Sequence, residues 1–177
     1  GGGKRMLLPS PKPLQAFGVG RPWRTLGSLH PDAVLVVVWE SLLAEIVEFS
    51  ERDRSREIGG FLLGGLFEHE GEYVELRHFI PAVDVRSQSA SLTFTHDTWS
   101  ALTRDAERLY PDDVVVGWQH THPNMGIFLS EKDLFIHRHF FSQPWQIALV
   151  VDPVKQELGF FQWRGGEVVD CGIVVLE

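Results

Sequence analysis

Two histidines one residue apart, His120 and His122, followed by Pro123 and then by Ser130-Glu-Lys-Asp133, constrain the fold more than any other feature of the chain. Side chains alternate with period two along an extended segment, so both imidazoles project from one side and can reach the same ion. Ser130 is a helix N-cap residue type, and Asp133 falls in the first turn that such a cap would open. The pattern therefore asks for a strand whose end lies against the start of a helix. Two histidines and one aspartate leave one corner of a zinc tetrahedron open to water, the layout of a catalytic rather than a structural zinc.

Each half of the pattern also has a plainer reading. Ser130 with a carboxylate three residues later is a capping box, and paired histidines at a strand end can simply hydrogen-bond a neighbour. The joint spacing favours the metal over either. If the metal serves hydrolysis, another group must take a proton from water and pass it to the leaving amine. Glu57 suits that role because it stands immediately before the apolar run Ile58-Gly-Gly-Phe-Leu-Leu-Gly-Gly-Leu66. The alternative is a solvated member of the charged run from Glu51 to Glu57.

Around these residues the pattern predicts a mixed α/β domain, a curved sheet interrupted by helices. A β-branched run from Ala33 to Val38 leads into helical spacing of Leu42, Leu43, Ile46 and Val47. The glycine-rich run 58–66 reads as a buried strand, paired across Glu70-Gly71 with Glu72 to Ile80. Its glycines would let another backbone or a substrate approach closely. Residues 91–95 read as a short strand, Asp97 as the cap of a helix to about Leu109, and Val114 to Gln119 as the strand that delivers the histidines. A helix from Ser130 to about Phe140 and three further strands, 146–151, 158–163 and 168–176, complete the domain, assigned to residues 32–177. Residues 1–31 are rich in proline and glycine and read as an arm. The triple glycine at its start reads as an expression scar, with a processed fusion junction as the alternative.

A chain of 177 residues, 44% apolar, suffices for one domain with a real core. The net charge of -8 excludes the basic footprint of a nucleic-acid binder and suits a basic partner. The single cysteine, Cys171, allows neither a disulfide framework nor a cysteine-based zinc knuckle, which fits a reducing cytoplasm. No run approaches the roughly 20 apolar residues that cross a bilayer, so a soluble protein without membrane partners is expected.

Glu57 before Ile-Gly-Gly-Phe, then His120-Thr-His122-Pro123, then Ser130 and Asp133, resemble the JAMM (MPN+) metalloprotease signature, with all five functional positions filled. The likeness extends over roughly residues 33–164, including Gly126 to Leu129 and the Val-Val-Asp-Pro ending at Pro153, and is nearest to compact prokaryotic members. It implies a single MPN-type domain with a cytidine-deaminase-like layout. It implies one zinc ion held by His120, His122 and Asp133, with Glu57 as general base and Ser130 helping to hold the oxyanion. Its implied substrates are bonds after the C-terminal Gly-Gly of ubiquitin or a ubiquitin-like protein. E1-like and E2-like enzymes of a shared operon are the implied partners.

Insertions of chain-selective eukaryotic members have no counterpart at the short turn Ser142 to Pro144, and a second, Cys/His-bound zinc is not expected. His137, four residues after Asp133, could orient that ligand, while Trp99, Trp118 and Trp145 read as core aromatics. Two other functions stay open: release of cysteine or another adduct from a sulfur-carrier protein, and a non-catalytic scaffold. A zinc deaminase is disfavoured because its His-x-Glu and Pro-Cys-x-x-Cys elements are absent.

Overall fold

The computed structural model describes residues 7–14, 23–82 and 95–177. Strands β1 (Ser10–Pro11), β2 (Trp23–Leu26) and β3 (Leu35–Trp39) precede helix α1 (Glu40–Ser50). The hairpin β4 (Gly59–Glu68) and β5 (Glu72–Pro81) follows, then α2 (His96–Leu109), β6 (Val114–Thr121), α3 (Glu131–Phe140) and β7 (Ile147–Asp152). The chain closes with β8 (Glu157–Arg164), β9 (Glu167–Cys171) and β10 (Ile173–Leu176). No helix among the described residues is long and apolar enough to cross a membrane.

The sheet is mixed, in the order β2-β10-β3-β5-β4-β6-β7-β8-β9, with β1 paired in parallel to the far end of β4. Its two faces carry separate cores, because neighbours on β4 point opposite ways. Leu62 and Leu66 join Val38, Leu42, Ile46 and Leu149 under α1, whereas Phe61 and Leu63 join Leu102, Ala106, Trp118, Ile136 and Phe141 under α2 and α3. At Gly60 and Gly64 a Cβ would overlap the carbonyl oxygens of Ile80 and Glu75 on β5, so the glycines of β4 admit a neighbouring backbone. The ladder shifts at Leu63/Gly64. This bulge increases local twist and helps the sheet curl.

The curl explains one departure from the expected elements. Residues 168–176 form two strands, divided at Gly172, with β9 on β8 at one end of the sheet and β10 between β2 and β3 at the other. Apolar β-branched residues on both sides of Gly172 conceal this break in the sequence. Helix α2 is capped by Thr95, whose Oγ1 accepts the Thr98 amide at 3.1 Å, and Asp97 lies in its first turn instead. The strand expected at 91–95 falls almost wholly outside the described residues. Within the first 31 residues, Ser10–Pro11 and Trp23–Leu26 pair with the sheet, and Lys12 Nζ lies 2.7 Å from the buried carboxylate of Glu75.

For the site, the decisive unit is β6-α3-β7. β6 and β7 are parallel neighbours, so the helix joining them must cross over the sheet. This brings chain leaving the C-terminal end of β6 to the start of α3, the end of a parallel pair where α/β folds bind ligands.

Candidate metal centre

His120 and His122 emerge from the end of β6 on the same side, as period-two alternation requires, and both are essentially fully buried. His120 Nε2 lies 3.0 Å from His122 Nε2. Asp133, in the first turn of α3, turns its Oδ2 into the same point, 2.9 Å from His122 Nε2 and 3.1 Å from His120 Nε2. These three residues form the metal-competent group among the described residues. Their separations approach the roughly 3.3 Å edge of a tetrahedron with zinc bonds of about 2.0 Å. Two imidazole nitrogens and a carboxylate oxygen converging away from water satisfy a cation well, and this donor set fits zinc.

The start of α3 also keeps its capping box. Ser130 Oγ accepts the Asp133 amide at 3.1 Å, and Asp133 Oδ2 accepts the Ser130 amide at 3.0 Å. The plain reading and the metal reading therefore hold together. Burial alone would raise the Asp133 pKa, but hydrogen bonds from His120 and His122 keep its carboxyl well below the usual carboxylate range. Burial disfavours a charged His122, yet the Asp133 hydrogen bond and charge outweigh it and raise the imidazole pKa.

Glu57 arrives from the other neighbour of β6. Gly59 pairs with His120 in the antiparallel β4/β6 ladder, and the Thr121 amide donates to the Ile58 carbonyl at 2.9 Å. Continuing that register sets Glu57 opposite His122, where directly opposed side chains share a face. Glu57 Oε1 is 3.6 Å from His122 Nε2, and its side chain is 16% exposed. The structure thus gathers Glu57, His120, His122, Ser130 and Asp133 around one point.

Four further residues support the centre through contacts that their own positions in the sequence do not reveal. Trp118 stacks its ring on His120 at 4.4 Å and 9°. It donates its indole N–H to His137 Nδ1 at 3.0 Å. His137 therefore serves Trp118 and not Asp133, and its burial pushes its pKa down to about 4, keeping it a neutral acceptor. Asp152, at the end of β7, accepts the amides of Asn124 and Gly126 at 2.9 and 2.8 Å and those of Val154 and Lys155 at 3.0 Å. Its carboxylate pins the loop between His122 and Ser130. Burial opposes its charge, but these amides lower its pKa to about 2. Thr121, between the two histidines, makes contacts on the opposite side toward the segment that bears Glu57.

The family model described as prokaryotic homologs of the JAB domain matches residues 40–164, a span that includes all five gathered residues. STAM-binding protein of Rattus norvegicus is 30% identical over 135 residues, 72% of this chain and 29% of that protein. AMSH-like ubiquitin thioesterase 2 of Arabidopsis thaliana is 29% identical over 128 residues, 71% of this chain and 54% of that protein. The chain thus spans 29% of the one relative and 54% of the other. The solution structure of protein DSY2949 from Desulfitobacterium hafniense has the same fold, with a TM-score of 0.59 at 19% identity over 80% of this chain and 92% of that one.

Proposed function

Because the chain belongs to the JAMM/MPN family, among the prokaryotic homologs of the JAB domain, we propose that it is a zinc-dependent isopeptidase or peptidase. Its substrate on this reading is the bond after the C-terminal Gly-Gly of ubiquitin or a ubiquitin-like protein. The observation that carries the reading is the convergence of three buried ligand atoms, 2.9 to 3.1 Å apart, with a further carboxylate 3.6 Å from one of them. Those three atoms are the ligands, and Glu57 is the proton carrier.

A zinc ion held by His120, His122 and Asp133 would supply Lewis acidity that makes water a nucleophile near neutral pH. Glu57 takes a proton from the attacking water and delivers it to the departing amine. Ser130 Oγ accepts the Asp133 amide, which leaves its own proton available to donate to the oxyanion. A Gly-Gly tail lacks the side chains that would keep a backbone away from so buried a centre. The name of AMSH-like ubiquitin thioesterase 2 supports a ubiquitin-type substrate. This reading also places the enzyme in a prokaryotic cytoplasm, acting on conjugates built by E1-like and E2-like enzymes, with residues 1–31 as an N-terminal arm whose β1 and β2 pair with the sheet of the catalytic domain.

The test is cleavage of a ubiquitin-like protein bearing a Gly-Gly-linked reporter by wild type, Glu57→Ala and chelator-treated protein, with zinc measured on the same samples. Turnover lost in both treated forms, with about one zinc retained by Glu57→Ala, supports the mechanism. Equal turnover in wild type and Glu57→Ala overturns it. Cleavage of a cysteine adduct of a sulfur-carrier protein in place of the Gly-Gly reporter would redirect the substrate assignment. Bound zinc without turnover on either substrate favours the scaffold reading.

A further inference from the structure

We infer that Thr121 is a positioning residue that holds Glu57 against the metal centre, an inference that rests on the general-base reading of Glu57. Alternation turns Thr121 away from the side shared by His120 and His122. It is nonetheless fully buried, and its hydroxyl is directed at the backbone on either side of Glu57. Thr121 Oγ1 accepts the amide of Ile58 at 2.9 Å and donates to the carbonyl of Arg56 at 3.4 Å. Its own amide donates to the Ile58 carbonyl at 2.9 Å. One residue thus brackets Glu57 from both sides with three hydrogen bonds.

The need for such a bracket follows from where β4 begins. Regular pairing with β6 starts at Gly59, and the residues before it belong to a charged turn, Glu51 to Arg56, whose side chains are largely exposed. The Glu57 backbone precedes the first residue of β4, outside the regular β4/β6 ladder. Donation by a threonine hydroxyl to one carbonyl and acceptance from the next-but-one amide fixes the intervening peptide planes, and hence the direction of the Glu57 side chain. Proton transfer is steep in geometry, since misplacement by about 1 Å can cost roughly 100-fold in rate. A hydroxyl between two metal ligands therefore has a use that neither ligand supplies: it couples the strand carrying the metal to the segment carrying the base.

The test compares Thr121→Val, which keeps the shape and removes the hydroxyl, with Thr121→Ser, which keeps the hydroxyl. Zinc content and Ile58 amide hydrogen exchange are measured on both beside the wild type. For Val the expected result is retained zinc, faster Ile58 exchange, and kcat lowered about 10- to 100-fold with KM within about threefold. Ser should restore both exchange protection and kcat. Unchanged kcat in Val, or a loss in Ser equal to that in Val, overturns the inference. Should Glu57→Ala turn over like wild type, the general-base reading falls and Ile58 exchange alone judges the bracket. Protection lost in Val and restored in Ser then supports it, and equal protection in all three forms overturns it.

Discussion

Ser130 and Asp133 are hydrogen-bonded to each other twice, amide to side chain in both directions, while the same Asp133 Oδ2 faces both histidine Nε2 atoms. One carboxylate oxygen thus closes a helix cap and completes a metal-competent group. The cap prepays the ordering of the ligand, because a helix start that must satisfy its free amides already holds Asp133 in place.

This dual role separates two substitutions. Ser130→Ala should keep about one zinc, lose about 1 kcal/mol of stability with the cap, and lower kcat roughly 100-fold with the oxyanion donor. Asp133→Ala should lose more stability than that in the metal-free protein, because its hydrogen bonds to both histidines go with the cap, and should bind no zinc at stoichiometric concentration. Denaturant melts with chelator present, together with metal analysis after dialysis, check both. Stoichiometric zinc in Asp133→Ala would contradict its place as a ligand.

His137 contacts Trp118, whose ring stacks on His120, so on the zinc reading its support of a bound ion would be indirect. Replacing His137 by Leu removes the acceptor for the indole N–H and should weaken zinc binding about 10- to 100-fold, the usual effect of losing a ligand's support. His137→Asn, which can offer an oxygen near the Nδ1 position, should recover part of that affinity. Competition with a zinc chelator measures both without any substrate.

The pH dependence of stability carries the same residue's signature. A histidine with a folded pKa pushed down to about 4 stays neutral in the fold while the unfolded chain takes up a proton below about pH 6.5. Its contribution is therefore complete above about pH 6.5 and is lost as the pH falls toward 4. His137→Leu should flatten the decline of metal-free stability across that window. Melts from pH 7 to 4 in chelator read the change, and parallel curves for the two proteins would count against it.

Asp152 acts on the loop that joins the two halves of the centre. Its pKa of about 2 means that its stabilisation is present above the unfolded carboxylate value near 3.9 and is lost as the pH falls toward 2. Asp152→Ala should cost about 1–3 kcal/mol, since it removes the charged acceptor shared by four loop amides. Hydrogen exchange at the Asn124 and Gly126 amides should rise more than at the core of β4. Uniform exchange in wild type and variant would show that the loop is held by other means.

Much of the fold was readable because its signals are local. The β3-α1 transition, the β4/β5 hairpin turning at Glu70 and Gly71, and the β7 and β8 runs follow from periodicity and turn residues, and the positive φ of 55° at Glu70 and 128° at Gly71 fits such a turn. The cap of α2 falls at Thr95 and not at Asp97, because both are good cap residues and only the backbone of Thr95 is extended there. The division of residues 168–176 at Gly172 was illegible because each half is itself a good strand, and a curled sheet has two ends on which to place them.

By itself the sequence determined that two imidazoles share a side and that a capped helix start presents a carboxylate, since both follow from the geometry of a few consecutive residues. Only the tertiary structure decided that they meet. The β6-α3-β7 crossover brings Asp133 to His122, and the β4/β6 register sets Glu57 opposite the same histidine. Trp118, His137, Thr121 and Asp152 acquire their parts in the same way. Their partners lie on other elements, and a hydrogen bond between distant segments leaves no periodic trace in either one.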